Sequence, residues 1–158
     1  MPKRSAGLLI YRPRDQNMEV FLVHPGGPFW AKKDLGAWSI PKGEYPEDEN
    51  PLEAARREFT EETGFEVTGD FLDLGTIRQA GGKLVSVWAV EGDCDPAQLR
   101  SNLCRIEWPP LSGRQIEIPE VDRGVWFGLG EARQRILKSQ APFIDLLLVQ
   151  LNKPNAPP

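Results

Sequence analysis

Residues 43–65 read GEYPEDENPLEAARREFTEETGF, and what those residues require organises the rest of the chain. Gly43, Glu49, Arg57, Glu58, Phe59, Glu61, Glu62, Gly64 and Phe65 fall on the pattern G-x5-E-x7-R-E-U-x-E-E-x-G-U, where U is a bulky apolar residue. Asn50 supplies an N-cap, and Pro51 takes the first helical position, where its missing N–H does no harm. Gly64 serves as a C′ stop, so the spacing predicts a helix over 51–63. On that helix Glu58, Glu61 and Glu62 are spaced i, i+3, i+4 and share one face within an arc of about 100°. Like charges so crowded weaken an isolated helix. Hard oxygen ligands around a divalent cation remove that penalty. A lone ExxEE is ordinarily a solvated face, but here it comes with Gly43, Glu49, Arg57 and Gly64-Phe65 at fixed spacing. Leu52, Ala55 and Phe59 lie on the adjoining face and can bury the helix. Arg57 and Glu49 are placed to brace the preceding loop by a charge-assisted contact.

The whole chain bounds the setting of that helix. Its 158 residues suit one domain with a single core, expected over 1–153, with a proline-rich tail at 154–158. Hydrophobic residues at 40% and charged residues at 27% make an ordinary globular balance. The net charge of −4 argues against a surface built to coat nucleic acid. No apolar run approaches the roughly 18 residues of a membrane span. The start, MPKRSAGLLIYRPRD, has too short an apolar stretch for a secretory signal. Cys94 and Cys104 have no CxxC spacing and read as reduced, structural thiols, so the expected location is cytoplasmic.

Along the chain, 6–11 and 19–24 read as two strands around the turn Asp15-Gln16-Asn17. A glycine- and proline-rich loop covers 25–36, and 38–40 is a brief extended segment. Residues 71–79 and 84–90 form a strand pair about Gly81-Gly82, and 105–108 with 115–118 a further pair. Helices are expected over 129–138 and 143–151, the second amphipathic through Phe143, Leu146, Leu147 and Leu151. A mixed sheet with flanking helices gives an α/β class and an α/β/α layered architecture.

The pattern over 43–65 is the Nudix box, and the chain resembles the Nudix hydrolase family. The resemblance implies a Nudix-type α/β/α sandwich with a mixed β-sheet. It also implies hydrolysis of a nucleoside diphosphate linked to another moiety, with Mg²⁺, or alternatively Mn²⁺, as cofactor. Carried onto this chain, the Gly43 carbonyl, Glu58 and Glu62 would be metal ligands, with Glu61 a ligand or set beside the metals. Arg57 belongs to the same catalytic set. The cations would neutralise the diphosphate and acidify a water, leaving the protein to orient an in-line displacement. The family often adds an acid from beyond the box, as ligand or base. Glu120, in PEVDRGVWF, is the first choice because that segment resembles the family's acid followed by an aromatic-containing strand; Glu117 is the second. The general base itself stays unassigned.

The substrate partner is expected to be a small nucleotide-type molecule. Phe29 and Trp30 could stack on a nucleobase, worth roughly 1–3 kcal/mol, or could equally cap the core. Lys32, Lys33 and Lys42 could meet phosphates, Lys42 foremost because it precedes Gly43. His24 at a strand end reads as structural rather than as a base. Arg78 and Lys83, flanking Gly81-Gly82, read as surface charge. The lead-in WSIPKG resembles that of dinucleoside polyphosphate and diphosphoinositol hydrolases. The segment Ala80-Gly81-Gly82-Lys83 holds neither the tyrosine of typical diadenosine polyphosphate hydrolases nor the proline of ADP-ribose hydrolases. Over nearly its whole length the chain looks like bacterial predicted NTP pyrophosphohydrolases. A dinucleoside polyphosphate is favoured over a simple NTP. Diphosphoinositol polyphosphate and capped RNA are alternative substrates, the acidic surface speaking against a long nucleic acid. A non-catalytic nucleotide-binding sensor is the alternative from another class. Nothing in the sequence speaks to oligomeric state.

Overall fold

The structure, a computed structural model, describes residues 2–153, so the proline-rich tail at 154–158 lies outside the described residues. Strand β1 (Arg4–Arg14) turns into β2 (Asn17–Pro25) through Asp15 and Gln16, both at positive φ (47° and 67°), the left-handed pair that a two-residue hairpin requires. Strands β3 (Lys42–Glu44), β4 (Leu72–Arg78), β5 (Leu84–Glu91) and β8 (Val121–Gly128) complete a six-stranded sheet. Its order is β4-β5-β1-β2-β8, with β3 paired to β1. The β1–β5 pair is parallel and the others are antiparallel, which makes the sheet mixed. Strands β6 (Leu103–Glu107) and β7 (Gln115–Pro119) form a separate hairpin. Helix α1 (Pro51–Thr63) covers one face of the sheet, while α2 (Leu129–Arg135) and α3 (Pro142–Leu151) cover the other.

The layering follows from β1, which is apolar on both sides. Ala6, Leu8 and Ile10 pack with Ala54, Ala55 and Phe59 of α1, whereas Leu9 and Tyr11 pack with Phe143, Ile144 and Leu147 of α3. A strand buried on both faces reads as a continuous apolar run rather than an alternating one. Phe59 is fully buried beneath the acid face of α1. Phe59→Ala is expected to cost about 3–5 kcal/mol, measured by denaturant unfolding; a loss under about 1 kcal/mol would mean that α1 is not anchored there.

Helix α1 has the expected bounds. The Asn50 side chain accepts from Glu53 N–H at 3.1 Å, and Gly64 sits at φ 79° with its N–H on the Thr60 carbonyl. The helix expected over 129–138 is shorter and ends at Arg135. Ile136 is extended instead, buried, and forms a parallel bridge to Trp38. Burying that β-branched side chain in the core outweighs continuing an exposed helix. Among the described residues no helix is long and apolar enough to cross a membrane.

Candidate acid-helix site

Glu58, Glu61 and Glu62 lie on one side of α1, and the strand β3 brings Gly43 directly against it. A Cβ built on Gly43 would stand 2.0 Å from Glu58 Oε2, so the contact leaves no room for any side chain. Gly43 is not at positive φ, hence the glycine is required for space rather than for backbone conformation. Beside it, Lys42 N–H donates to Glu62 Oε1 at 3.3 Å.

Arg57 organises the acids. Its Nε and Nη2 donate to the two oxygens of Glu49 at 2.9 and 2.8 Å, a bidentate fork. The remaining nitrogen, Nη1, donates to Glu58 Oε1 at 2.9 Å and Glu61 Oε1 at 3.1 Å. Thus one guanidinium joins the 44–50 loop to two acids of the helix. It holds the Glu49 carboxyl below the usual carboxylate range through that fork. Glu49, Glu58 and Glu61 in turn push the Arg57 pKa still higher.

Glu58 and Glu62 are both buried, at 8% and 7% exposure. Burial first, and then the neighbouring Glu61 and Glu120, raise Glu58, although Arg57 opposes the shift. Glu62 is pushed up to about 9, by burial first and then by Glu120 and Glu58; the Lys42 N–H and ammonium offset only part of it. Buried carboxylates without a full set of donors are costly as anions. Among the described residues no three acid, histidine or cysteine side chains stand in a preformed cation cage. The geometry has a local cause: Arg57 already holds Glu58 and Glu61.

Glu120, from a distant segment of the chain, is joined to the same helix through a shared hydrogen-bonded neighbour. What fixes it there is Asn102, a residue that the sequence reading missed. Asn102 N–H donates to the Glu61 carbonyl at 2.8 Å, its carbonyl accepts from Glu120 N–H at 3.0 Å, and its Nδ2 donates to Glu120 Oε1 at 3.3 Å. Asn102 lies in no periodic element, so nothing local marks it. Gly26 is a second missed residue: its N–H donates to the Glu120 carbonyl at 2.9 Å, and a Cβ would sit 2.0 Å from the Pro119 carbonyl oxygen. Glu117, by contrast, is exposed on the polar side of the β6–β7 hairpin, opposite Arg105.

The 25–36 loop is held elsewhere. Arg135 pairs with Asp34, and Gly36 N–H donates to the Gln134 carbonyl, which ties the loop to α2. Buried His24 supports it from below: Nε2 donates to the Lys33 carbonyl at 2.7 Å, and Nδ1 stands 3.0 Å from Asp122 Oδ1. Trp30 is half-buried against the α2–α3 core, which makes it a core-capping residue. Phe29 is 54% exposed, and Lys33 lays its ammonium 3.8 Å from the centre of that ring. Lys32 is exposed and makes no ion pair among the described residues. Of the four residues expected at the substrate, Phe29, Trp30, Lys32 and Lys42, the structure therefore brings Lys42 alone into contact with an acid of α1.

Both thiols are free and raised by burial, Cys94 to about 12. Neither has the character of a nucleophile.

Comparison with known proteins agrees with this fold. The family profile described as NUDIX domain matches residues 1–147. The mRNA-decapping enzyme subunit 2 of Saccharomyces cerevisiae (strain YJM789) is 32% identical over 114 residues, 68% of this chain and 10% of that protein. The m7GpppN-mRNA hydrolase of S. cerevisiae (strain ATCC 204508 / S288c) matches to the same extent. The chain thus spans about a tenth of the length of these curated relatives. Among solved structures, the NUDIX domain of Shewanella oneidensis NrtR complexed with ADP ribose superimposes with a TM-score of 0.68 at 18% identity, covering 96% of this chain and 90% of that one. A C. elegans Ap4A hydrolase in a binary complex gives 0.65 at 21% identity, covering 93% and 97%. With the family profile spanning nearly the whole chain and every acid of the helix in place, the chain belongs to the NUDIX domain family.

Proposed function

We propose that this chain is a pyrophosphohydrolase that depends on a divalent cation, Mg²⁺ with Mn²⁺ as substitute, and cleaves a nucleoside diphosphate linked to another moiety. The observation that carries the reading is the packing of the buried Glu58 carboxylate against Gly43, which leaves no room for a methyl group, with buried Glu62 held beside it by the Lys42 N–H. The donor set, carboxylate oxygens of Glu58, Glu61 and Glu62 with the Gly43 carbonyl, is the hard-oxygen set that Mg²⁺ prefers over softer metals. Cations held there would neutralise the diphosphate and make a water more acidic. The chain's own residues do the positioning. Arg57, anchored on Glu49, keeps Glu58 and Glu61 in register along the helix. Asn102, bonded to the Glu61 carbonyl, holds Glu120 near them. Glu120 is thereby set to take a proton or to complete the ligand set.

Among substrates, a dinucleoside polyphosphate suits the Pro41-Lys42-Gly43 lead-in and ranks above a simple NTP. The 32% identity to an m7GpppN-mRNA hydrolase favours a second reading, a capped RNA end. Product release from a panel tests the proposal: dinucleoside polyphosphates, NTPs, ADP-ribose, diphosphoinositols and a cap analogue, each with Mg²⁺ and with chelator. Turnover that needs Mg²⁺ supports it, while equal turnover in chelator would overturn the metal dependence. Glu120→Gln is expected to lower kcat about 10- to 100-fold with little change in KM; an unchanged kcat would remove Glu120 from the site.

A further inference from the structure

The β6–β7 hairpin starts at the acid helix. Asn102 and Glu120 stand across from one another at its base, with Glu120 N–H on the Asn102 carbonyl at 3.0 Å and Asn102 Nδ2 on Glu120 Oε1 at 3.3 Å. Both side chains therefore lie on one face of the ladder. Because side chains alternate along a strand, that face continues through Cys104 and Ile106 on β6 and through Ile118 and Ile116 on β7. Trp108, whose N–H donates to the Arg114 carbonyl at 2.9 Å, extends the row past the end of β6.

The two faces of the hairpin differ in what covers them. Arg105, Glu107 and Glu117 are exposed, whereas the five side chains of the other face are half-buried. Neither of the two sheet cores includes those five. They lean instead on glycine backbone. A Cβ on Gly27 would stand 2.6 Å from Ile118 Cδ1 and 3.7 Å from Ile106 Cδ1. With φ at 91° and no side chain, Gly27 leaves a bare peptide at the foot of an aliphatic wall. The tip of the hairpin is pinned, since the two oxygens of Glu107 accept from Leu111 N–H at 2.9 Å and Gly113 N–H at 3.1 Å.

Size and charge select what this face can hold. The row from Cys104 to Trp108 is about 13 Å long at about 3.3 Å per residue, the scale of one nucleoside. A stable protein partner needs about 800 Å² on each side. Cys104, Ile106, Ile116 and Ile118 put no charge on the face, and the acid on it, Glu120, stands at its base. An apolar wall with a few polar groups gathered at one end is the usual make-up of a small-molecule site. The matching group is uncharged and flat, and it is tethered to whatever the acid helix holds.

We propose that the apolar face of the β6–β7 hairpin binds the nucleobase at the end of the substrate, with Ile106, Ile116 and Ile118 as its wall and Gly27 as its floor. The inference rests on the pyrophosphohydrolase reading and deepens it. One arm, joined to α1 through Asn102, carries both Glu120 and the surface that receives the base. Substrates are then distinguished by the group beyond their phosphates, and a diphosphoinositol has nothing to place there.

Adenosine, which carries no phosphate, tests the wall without metal or turnover. Titrated into the metal-free full-length chain, it is expected to shift the methyl resonances of Ile106, Ile116 and Ile118 in NMR spectra. Ile116→Ser and Ile106→Ser are each expected to bind it about tenfold more weakly, and Ile116→Val to retain binding. Both serine variants should keep the fold, because neither position belongs to a core. No methyl shifts in the wild type, or equal binding by the wild type and both serine variants, overturns the wall even if diphosphates are hydrolysed. The expected binding pattern without hydrolysis of any substrate would instead overturn the pyrophosphohydrolase reading alone. A wild-type dimer that Ile116→Ser dissociates, with no methyl shift on adding adenosine, would give the face to a second copy and overturn the proposal. With Mg²⁺, the KM for diadenosine tetraphosphate is expected to rise about tenfold in Ile116→Ser; an unchanged KM contradicts the wall.

Discussion

Glu62→Gln will silence turnover and at the same time stabilise the metal-free protein. The two effects have one origin. Burial and the nearby Glu120 and Glu58 push Glu62 up to about 9, far above its ordinary range. Between the ordinary carboxylate range and pH 9, the folded metal-free protein therefore keeps a proton that the unfolded chain has already released. Wherever the folded state binds more protons, stability falls as pH rises. Glutamine carries no charge to bury, so the variant escapes that fall. Its melting temperature at pH 8 without metal is expected to exceed the wild type's by at least about 3 °C, with the difference vanishing towards pH 4. Adding Mg²⁺ will raise the wild-type melting temperature, because a ligand of the folded state stabilises it. The same addition will do far less for Glu62→Gln. Turnover is expected to fall at least about 100-fold, the upper end of what loss of a ligand-supporting group costs. A variant that is less stable than the wild type at pH 8 without metal would contradict the burial account. Near-normal turnover would remove Glu62 from the metal-binding set.

The second large effect is expected from the smallest substitution. Gly43→Ala adds one methyl group 2.0 Å from Glu58 Oε2 and 2.2 Å from its Cδ. Atoms cannot share that space, so either the Glu58 carboxylate swings away or β3 shifts off β1. Each outcome moves the Gly43 carbonyl relative to Glu58, and misplacement by about 1 Å is enough to cost on the order of 100-fold in rate. The variant should keep its fold, because β3 is only three residues long and the two cores lie elsewhere. Mn²⁺ affinity, read by electron paramagnetic resonance, is expected to weaken at least about tenfold. Wild-type kcat/KM and Mn²⁺ affinity in Gly43→Ala would show that the contact serves packing alone.

How far the chain could be read before its structure was known depended on where each element's cause lies. Helix α1 was legible to the residue because its causes are local: Asn50 caps it, Pro51 starts it and Gly64 ends it. The end of α2 was not, since Ile136 leaves the helix to pair with Trp38, a partner almost a hundred positions away in sequence. The Arg57–Glu49 fork could be anticipated from spacing, and it is present. Asn102 could not, because its hydrogen bonds join two segments that only the fold brings together. Where Phe29, Trp30 and Lys32 sit was not legible, because Asp34 and Gly36 tie their loop to α2 through partners distant in sequence. A local signal did exist for Gly7: a glycine inside the apolar run SAGLLIY announces a close backbone approach, and Lys42 is what approaches.

We propose that Gly43, Glu58 and Glu62 together hold a divalent cation. Anomalous diffraction from crystals of the protein soaked in Mn²⁺ tests it most directly. A manganese peak is expected within ligating distance, about 2.0–2.3 Å, of the Glu58 and Glu62 carboxylates and the Gly43 carbonyl, with Arg57 still forked on Glu49. A fully loaded crystal whose only manganese lies away from α1 would contradict it.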